Sequence, residues 1–197
     1  SEDDLAAQMH QSRELQHDLL RMRMTPFGAV TERLYRTVRQ ASRETGKEVR
    51  LEISGGEVEV DRSVLDRMVP AFEHLLRNCV AHGIEDPEQR RRLGKDPTGL
   101  VTVALEQVGN DISIEFRDDG AGLDLDALRV QAQQRGVPDA STLSDEEVIE
   151  LVFRPGVSTV TGVTELAGRG VGMDAVQADV RGLGGRIETS TQAGQGT

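Results

Sequence analysis

Residues 71–83 read Ala-Phe-Glu-His-Leu-Leu-Arg-Asn-Cys-Val-Ala-His-Gly, and this stretch sets the terms for the rest of the chain. At 3.6 residues per turn, His74, Asn78 and His82 fall at i, i+4 and i+8, so a continuous helix carries three polar groups on one ridge. Phe72, Leu75, Leu76, Cys79 and Val80 form its apolar face and leave that ridge at the edge, where a ligand can meet it. Asp61 supplies an N-cap, and the pattern predicts a helix from about Arg62 to Ala81.

The flanking segments alternate between helix and strand signals. Residues 1–24 carry Leu5, Gln8, Ser12, Leu15, Leu19 and Met22 at three and four spacing, the narrow seam of a helix that needs a partner. Thr25 and Pro26 read as an N-cap and first helical residue, opening a second helix with Phe27, Val30, Leu34, Val38 and Ala41 inward. Arg33, Arg36, Arg39 and Arg43 give that helix a basic outer side, read as a solvated face. Val49, Leu51 and Ile53 alternate, and Gly55-Gly56 turn the chain into a second short strand at Val58 and Val60. Between Gly83 and Thr98 the chain is charged and broken by Pro87, Gly94 and Pro97, a loop with at most a short helix.

The clearest strand signal follows. Val101, Val103 and Leu105 alternate, Gly109-Asn110 turn, and Ile112, Ile114 and Phe116 alternate back, predicting a hairpin that runs directly into Asp118-Asp119-Gly120-Ala121-Gly122. Helices are expected from about Asp124 to Arg135 and after the capping box at Ser144 to Glu147. Gly168 to Met173 leads into another helix, and Arg186 to Ser190 reads as a strand. Gly194-Gln195-Gly196-Thr197 stands where a further strand is expected, as in a domain cut before its last strand. Interleaved helices and strands with one antiparallel hairpin predict an α/β sandwich, helices on one face of a mixed sheet.

Composition narrows the chemistry. With 197 residues the chain holds one ordinary domain and an appendage. No apolar run reaches the roughly 20 residues of a membrane span, and the acidic start is unlike a signal peptide. Cys79 is the one cysteine, which excludes an internal disulfide and fits a reducing compartment. A net charge of -11 opposes non-specific binding to nucleic acid, and aromatics at 3% leave no base-stacking platform. An anionic ligand therefore needs a locally prepared site.

Two glycine runs offer one. Gly168-x-Gly170-x-Gly172 entering a helix presents bare amides at a positive helix end, although its spacing matches neither a dinucleotide fingerprint nor a Walker loop. Asp118-x-Gly120-x-Gly122 at a strand end sets a carboxylate beside glycines that let a planar group approach; an exocyclic amine suits that acceptor, and an ordinary turn is the bland alternative. Asn78 offers an amide oxygen to a hydrated magnesium, with His74 and His82 as hydrogen-bond partners, bases or phosphate contacts. The histidine pair lacks an acidic third ligand and is poor for zinc. His10 and His17, seven apart on the first helix, read as solvated surface histidines rather than phosphoacceptors.

Taken in order, His74-x-x-x-Asn78-x-x-x-His82, Asp118-x-Gly120-x-Gly122, Phe153 with Pro155 to Thr159, Gly168-Arg169-Gly170-Val171-Gly172-Met173-Asp174 and Gly194-x-Gly196-Thr197 resemble the ATP-binding domain of CheA-type chemotaxis histidine kinases. Arg23-Met24-x-Pro26-Phe27, Gly46-Lys47, His82 to Glu85 and Arg90 to Lys95 extend the likeness over nearly the whole chain. The resemblance implies a Bergerat-type (GHKL) fold over residues 26–197, preceded by the end of a dimerisation helix over residues 1–25.

It also implies ATP and Mg2+ as ligands. Asp118 would take adenine, Asn78 the metal, His74 a place near the γ-phosphate, and Arg154 to Ala167 would form a lid. His82, Gly120, Gly122, Ser158, Thr159, Gly168, Arg169, Gly170, Val171, Gly172, Met173 and Thr197 complete the implied nucleotide site. The implied activity is a cytoplasmic protein-histidine kinase acting on a separate phosphotransfer domain, with a response regulator, a CheW-like coupling protein, chemoreceptors and a second copy of the chain as partners. Another ATPase of the same superfold and a non-catalytic docking module are the competing readings. Ala81, Val157 and Ala167 depart from the usual Asp, Phe and Ser, and the kinases of type IV pili are the subgroup suggested.

Overall fold

A computed structural model describes residues 2–154 and 172–197. Helix α1 (Glu2–Met22) keeps Leu5, Met9, Leu15, Leu19 and Met22 more than half exposed, so the seam read from the sequence is uncovered among the described residues. No described helix is long and apolar enough to cross a membrane.

The second helix starts later than its capping signal suggests. Met24–Pro26 forms strand β1, paired antiparallel with β3 (Glu59–Asp61) so that Thr25 faces Val60, and α2 spans Gly28–Thr45. The N–H groups of Phe27 and Gly28 are used by the Val58 and Gly56 carbonyls at 2.9 and 2.8 Å, extending the strand pairing past Pro26. Complete burial of Phe27 favours that arrangement over a helical turn begun at Thr25. At its other end α2 closes at Gly46, where φ of 67° is the left-handed cap that glycine accepts.

Strand β2 (Val49–Ser54) does not pair with β3. It runs parallel to β4 (Gly99–Val108), which pairs antiparallel with β5 (Asp111–Asp118), giving a mixed sheet ordered β2-β4-β5. The two-residue Gly109-Asn110 turn joins the hairpin as expected, with Gly109 at φ 63°. Leu51, Val101, Val103 and Leu105 share a core with Leu34 and Val38 of α2 and Phe72, Leu76 and Val80 on or just beyond α3 (Arg62–Asn78). Phe72 lies between Phe27, edge-on at 6.2 Å, and Phe116 at 5.4 Å, linking the first helical layer to the sheet. Glu73 ties the two helices, accepting from Arg33 at 2.7 Å and the Thr37 hydroxyl at 3.0 Å. One member of the arginine row is thus an interhelical partner.

Helix α4 (Pro87–Arg92) is the short helix allowed in the charged loop. Asp124 caps α5 (Leu125–Gln134), and Ser144 with Glu147 closes the full capping box of α6 (Asp145–Leu151). Helix α7 (Met173–Gly182) returns to the main core through Val176. Residues 186–190 form no ladder; Ile187 leans on the core between exposed Arg186 and Glu188, so the alternation is present without strand pairing. The terminal segment instead makes a Gln192 to Gly196 bridge.

Candidate nucleotide site

Helix α3 begins on the Asp61 carboxylate, which accepts from the Ser63 hydroxyl and from the Val64 and Ser63 amides, and these bonds, the hydroxyl's first, hold Asp61 below its ordinary carboxyl range. It stops being an α-helix at Asn78. Residues Cys79–Gly83 form a π-turn closed by Ile84 N–H on the Cys79 carbonyl at 2.8 Å. His74 and Asn78 lie together, Nε2 to Nδ2 at 3.3 Å, and His82 falls on the wider turn, where it still acts on His74. Lys47 holds that turn from outside, its Nζ donating to the Val80 and Ala81 carbonyls at 2.9 and 2.7 Å. Burial lowers the pKa of Lys47 and of both histidines, with Arg77 adding to the effect on His74 and Lys47 to that on His82.

The π-turn meets the end of β5. Asp118 is 4% exposed; Gly120 N–H donates to its Oδ1 at 2.9 Å, and the Cys79 thiol hydrogen-bonds its carboxylate. Burial raises the Asp118 pKa against those bonds and pushes the Cys79 thiol up strongly. Glycine is required on both sides. A β-carbon on Gly83 would lie 2.8 Å from Asp118 Oδ2, and one on Gly120 would strike the Gly83 carbonyl. Gly122 has φ 79° and abuts the Gln192 carbonyl. The glycines therefore let neighbouring backbone segments close tightly on one buried carboxylate, an acceptor of the kind an exocyclic amine would meet.

The C-terminal segment closes the loop. Thr197 accepts the Asp118 N–H through its carbonyl at 3.0 Å, Gly194 donates to Ala121 at 2.8 Å, and the Thr191 hydroxyl accepts from Leu123 at 2.8 Å. Thr197 thus meets Asp118 through its backbone. On the other side Met173 opens α7 with its sulfur 3.6 Å from Asn78 Nδ2, which sets a positive helix end beside the amide. Asp118, Gly120, Gly122, Asn78, His74, Gly172 and Met173 thus lie on adjoining elements. Ser158, Thr159, Gly168, Arg169, Gly170, Val171 and most of the expected lid lie outside the described residues.

Several contributors were not singled out as site residues from the sequence. Cys79 signalled only an apolar face, and Thr191 carried no motif. Behind the loop, Arg90, 1% exposed, bonds Glu85 at 2.9 Å and Asp119 at 3.0 Å, and Lys95 Nζ reaches Glu85 at 2.7 Å. These charges lie in a segment that reads as an ordinary polar loop. No group of three His, Cys, Asp or Glu suited to a metal occurs among the described residues. Asn78 directs its amide nitrogen at His74 and Met173, which leaves its amide oxygen, a hard ligand of the kind a hydrated magnesium takes.

Residues 64–197 match the family described as histidine kinase-, DNA gyrase B- and HSP90-like ATPase, and the chain belongs to it. Its fold is that of the family, and a histidine kinase domain from the Erythrobacter litoralis EL346 blue-light activated histidine kinase shares it, with TM-score 0.50 at 17% identity over 87% of this chain and 61% of that one. Within the family it is a CheA-type domain. It is 40% identical over 186 residues to chemotaxis protein CheA of Klebsiella aerogenes and 41% identical over 189 residues to that of Bacillus subtilis, 94% of this chain in each case. A gliding motility regulatory protein of Myxococcus xanthus is 43% identical over 178 residues, 89% of this chain. The chain spans 28% of the length of the two CheA proteins and 23% of the third relative.

Proposed function

We propose that this ATPase domain is the catalytic module of a CheA-like protein-histidine kinase, with residues 1–25 the end of a dimerisation helix and 26–197 the nucleotide-binding domain. The buried Asp118 carboxylate in its glycine surround carries the reading. Asp118 accepts the adenine amine, Asn78 offers its amide oxygen to magnesium, and the α7 N-terminus with Gly172 and Met173 faces the phosphates. Two of the relatives are CheA proteins, and the Asn78 amide lies beside His74 and the start of α7, both of which support this assignment.

Magnesium, when bound, neutralises phosphate charge. The chain's own residues position the nucleotide: the phosphorus bond to the bridging β,γ-oxygen breaks, ADP leaves, and a bond forms to an imidazole nitrogen of the acceptor. His74, kept neutral by burial, hydrogen-bonds Asn78 and lies beside the phosphates. The acceptor histidine belongs to a phosphotransfer domain, and the response regulator, CheW-like coupling protein, chemoreceptors and second subunit are partners of the whole kinase in the cytoplasm.

Calorimetry of ATP with and without magnesium, followed by addition of a phosphotransfer domain, tests the proposal. Asn78→Ala is expected to abolish the magnesium-dependent part of ATP binding, and unchanged binding would refute the metal assignment. Labelled phosphate reaching the added domain only when this chain is present is the expected second result; ATP hydrolysis without transfer would point to another ATPase of this fold.

A further inference from the structure

The cluster behind the Asp118 loop has no part in the reading above. Lys95 lies between α4 and β4, and its Nζ donates to the Asp119 carbonyl at 3.1 Å, the Gly120 carbonyl at 3.0 Å and Glu85 Oε2 at 2.7 Å. Arg90 supplies the other half, with Nη1 on Glu85 Oε1 at 2.9 Å and the Asp119 carbonyl at 3.3 Å, Nη2 on Asp119 Oδ2 at 3.0 Å, and Nε on the Asp96 carbonyl at 2.6 Å. Asp119 Oδ1 takes the Leu100 amide at 2.9 Å. Both carboxylate oxygens and the carbonyl of Asp119 are therefore committed to Arg90, Lys95 and the Leu100 amide.

The charges sum to zero, two cations against Glu85 and Asp119, so the group is a neutral lock, buried at Arg90 and Glu85 and partly open at Asp119, rather than an ion-binding site. Its output is geometric. A lysine bridging two successive carbonyls fixes the orientation of the Asp119–Gly120 and Gly120–Ala121 peptides. The amide that holds Asp118 Oδ1 belongs to Gly120. Rotation of that stretch would move the amide and the carboxylate together. The charge of Asp119 also raises the Asp118 pKa, so its pairing with Arg90 favours the ionised acceptor.

We propose that Lys95 is a positioning residue for nucleotide recognition, clamping the Asp119 and Gly120 carbonyls so that Asp118 faces the exocyclic amine of the base. The inference rests on the assignment of Asp118 as the base acceptor. Its signature is a coupling between Lys95 and that amine, separable from any general loosening of the domain.

The test uses the chain of 197 residues and two ligands, ADP and purine riboside 5′-diphosphate, which lacks the 6-amino group. The unsubstituted chain is expected to prefer ADP by about tenfold or more, the discrimination a site built around one hydrogen bond provides. In Lys95→Met that preference should collapse to about twofold while affinity for the analogue is retained. Lys95→Arg, which keeps the charge with a different reach, should restore part of the preference; it supplies the same comparison if the methionine variant does not fold. An unchanged preference in a folded Lys95 variant overturns the proposal. So does a parallel loss of affinity for both ligands, which would mark a purely structural role. Absence of any preference for ADP in the unsubstituted chain would refute the Asp118 assignment itself, and the clamp with it.

Discussion

Gly120 lies directly against the carbonyl of Gly83, leaving no room for a β-carbon between the end of β5 and the π-turn after α3. The same carbonyl accepts the Ala121 N–H at 2.9 Å, so the two segments are joined where the buried carboxylate sits. Gly120→Ala forces them apart. The expected result is a loss of about 1–3 kcal/mol in urea unfolding, the usual cost of overpacking, together with loss of the thermal shift given by ADP. Retention of the full ADP shift would contradict this account of the junction.

Asp118 is held against the physics of its surroundings. Burial raises its pKa, and a carboxyl raised above its ordinary value of 3.8 contributes stability below that value and loses it as pH rises through the folded-state pKa. At neutral pH its charge is therefore a cost to the empty domain. Asp118→Asn should melt, without ligand at pH 7.5, at a temperature equal to or above that of the unsubstituted chain. It should also lose most of the stabilisation of about 2.7 kcal/mol that a ligand at a hundred times its Kd provides. A lower melting temperature without ligand would show that the carboxylate is structural.

His74 and His82 have the opposite dependence. Their folded-state pKa values lie below the ordinary 6.5, so between that value and the folded one the unfolded chain binds more protons. Stability is then full above about pH 7 and falls as the solution is acidified through 6.5. Denaturant midpoints from pH 8 to 5 should show that decline, and His82→Gln should reduce its slope. A slope unchanged in that variant would assign the titration elsewhere.

Lys47 satisfies two carbonyls at the end of the α3 turn system while half buried. Lys47→Met leaves the Val80 and Ala81 oxygens to find other donors and should cost about 1–3 kcal/mol. Guanidinium unfolding measures this directly. A loss below about 0.5 kcal/mol would indicate that water replaces the ammonium without penalty.

The periodic parts of this fold were legible because each depends on residues close in the chain. The hairpin around Gly109-Asn110, the Asp61 cap, the Ser144 capping box and the apolar face of α3 all follow from local spacing. Signals failed where long-range pairing overrode local preference. Thr25 and Pro26 carry helix-start chemistry, yet burial of Phe27 and the carbonyls of Gly56 and Val58 draw them into a strand. Residues 186–190 alternate like a strand but make no ladder, since pairing needs a neighbour that alternation cannot supply.

The sequence by itself determined the chemical inventory: a His-Asn pair one helical turn apart, an acid among glycines, and their order along the chain. Only the tertiary structure decided how those groups meet. It widened the helix into a π-turn at His82, placed the Cys79 thiol on Asp118, and brought Thr197 and Gly196 from the far end of the chain against the same loop. It also set Lys95 and Arg90 behind that loop. Spacing encodes contacts within a helix or hairpin because the backbone fixes them; contacts between segments depend on the packing of the whole core, which no local pattern records.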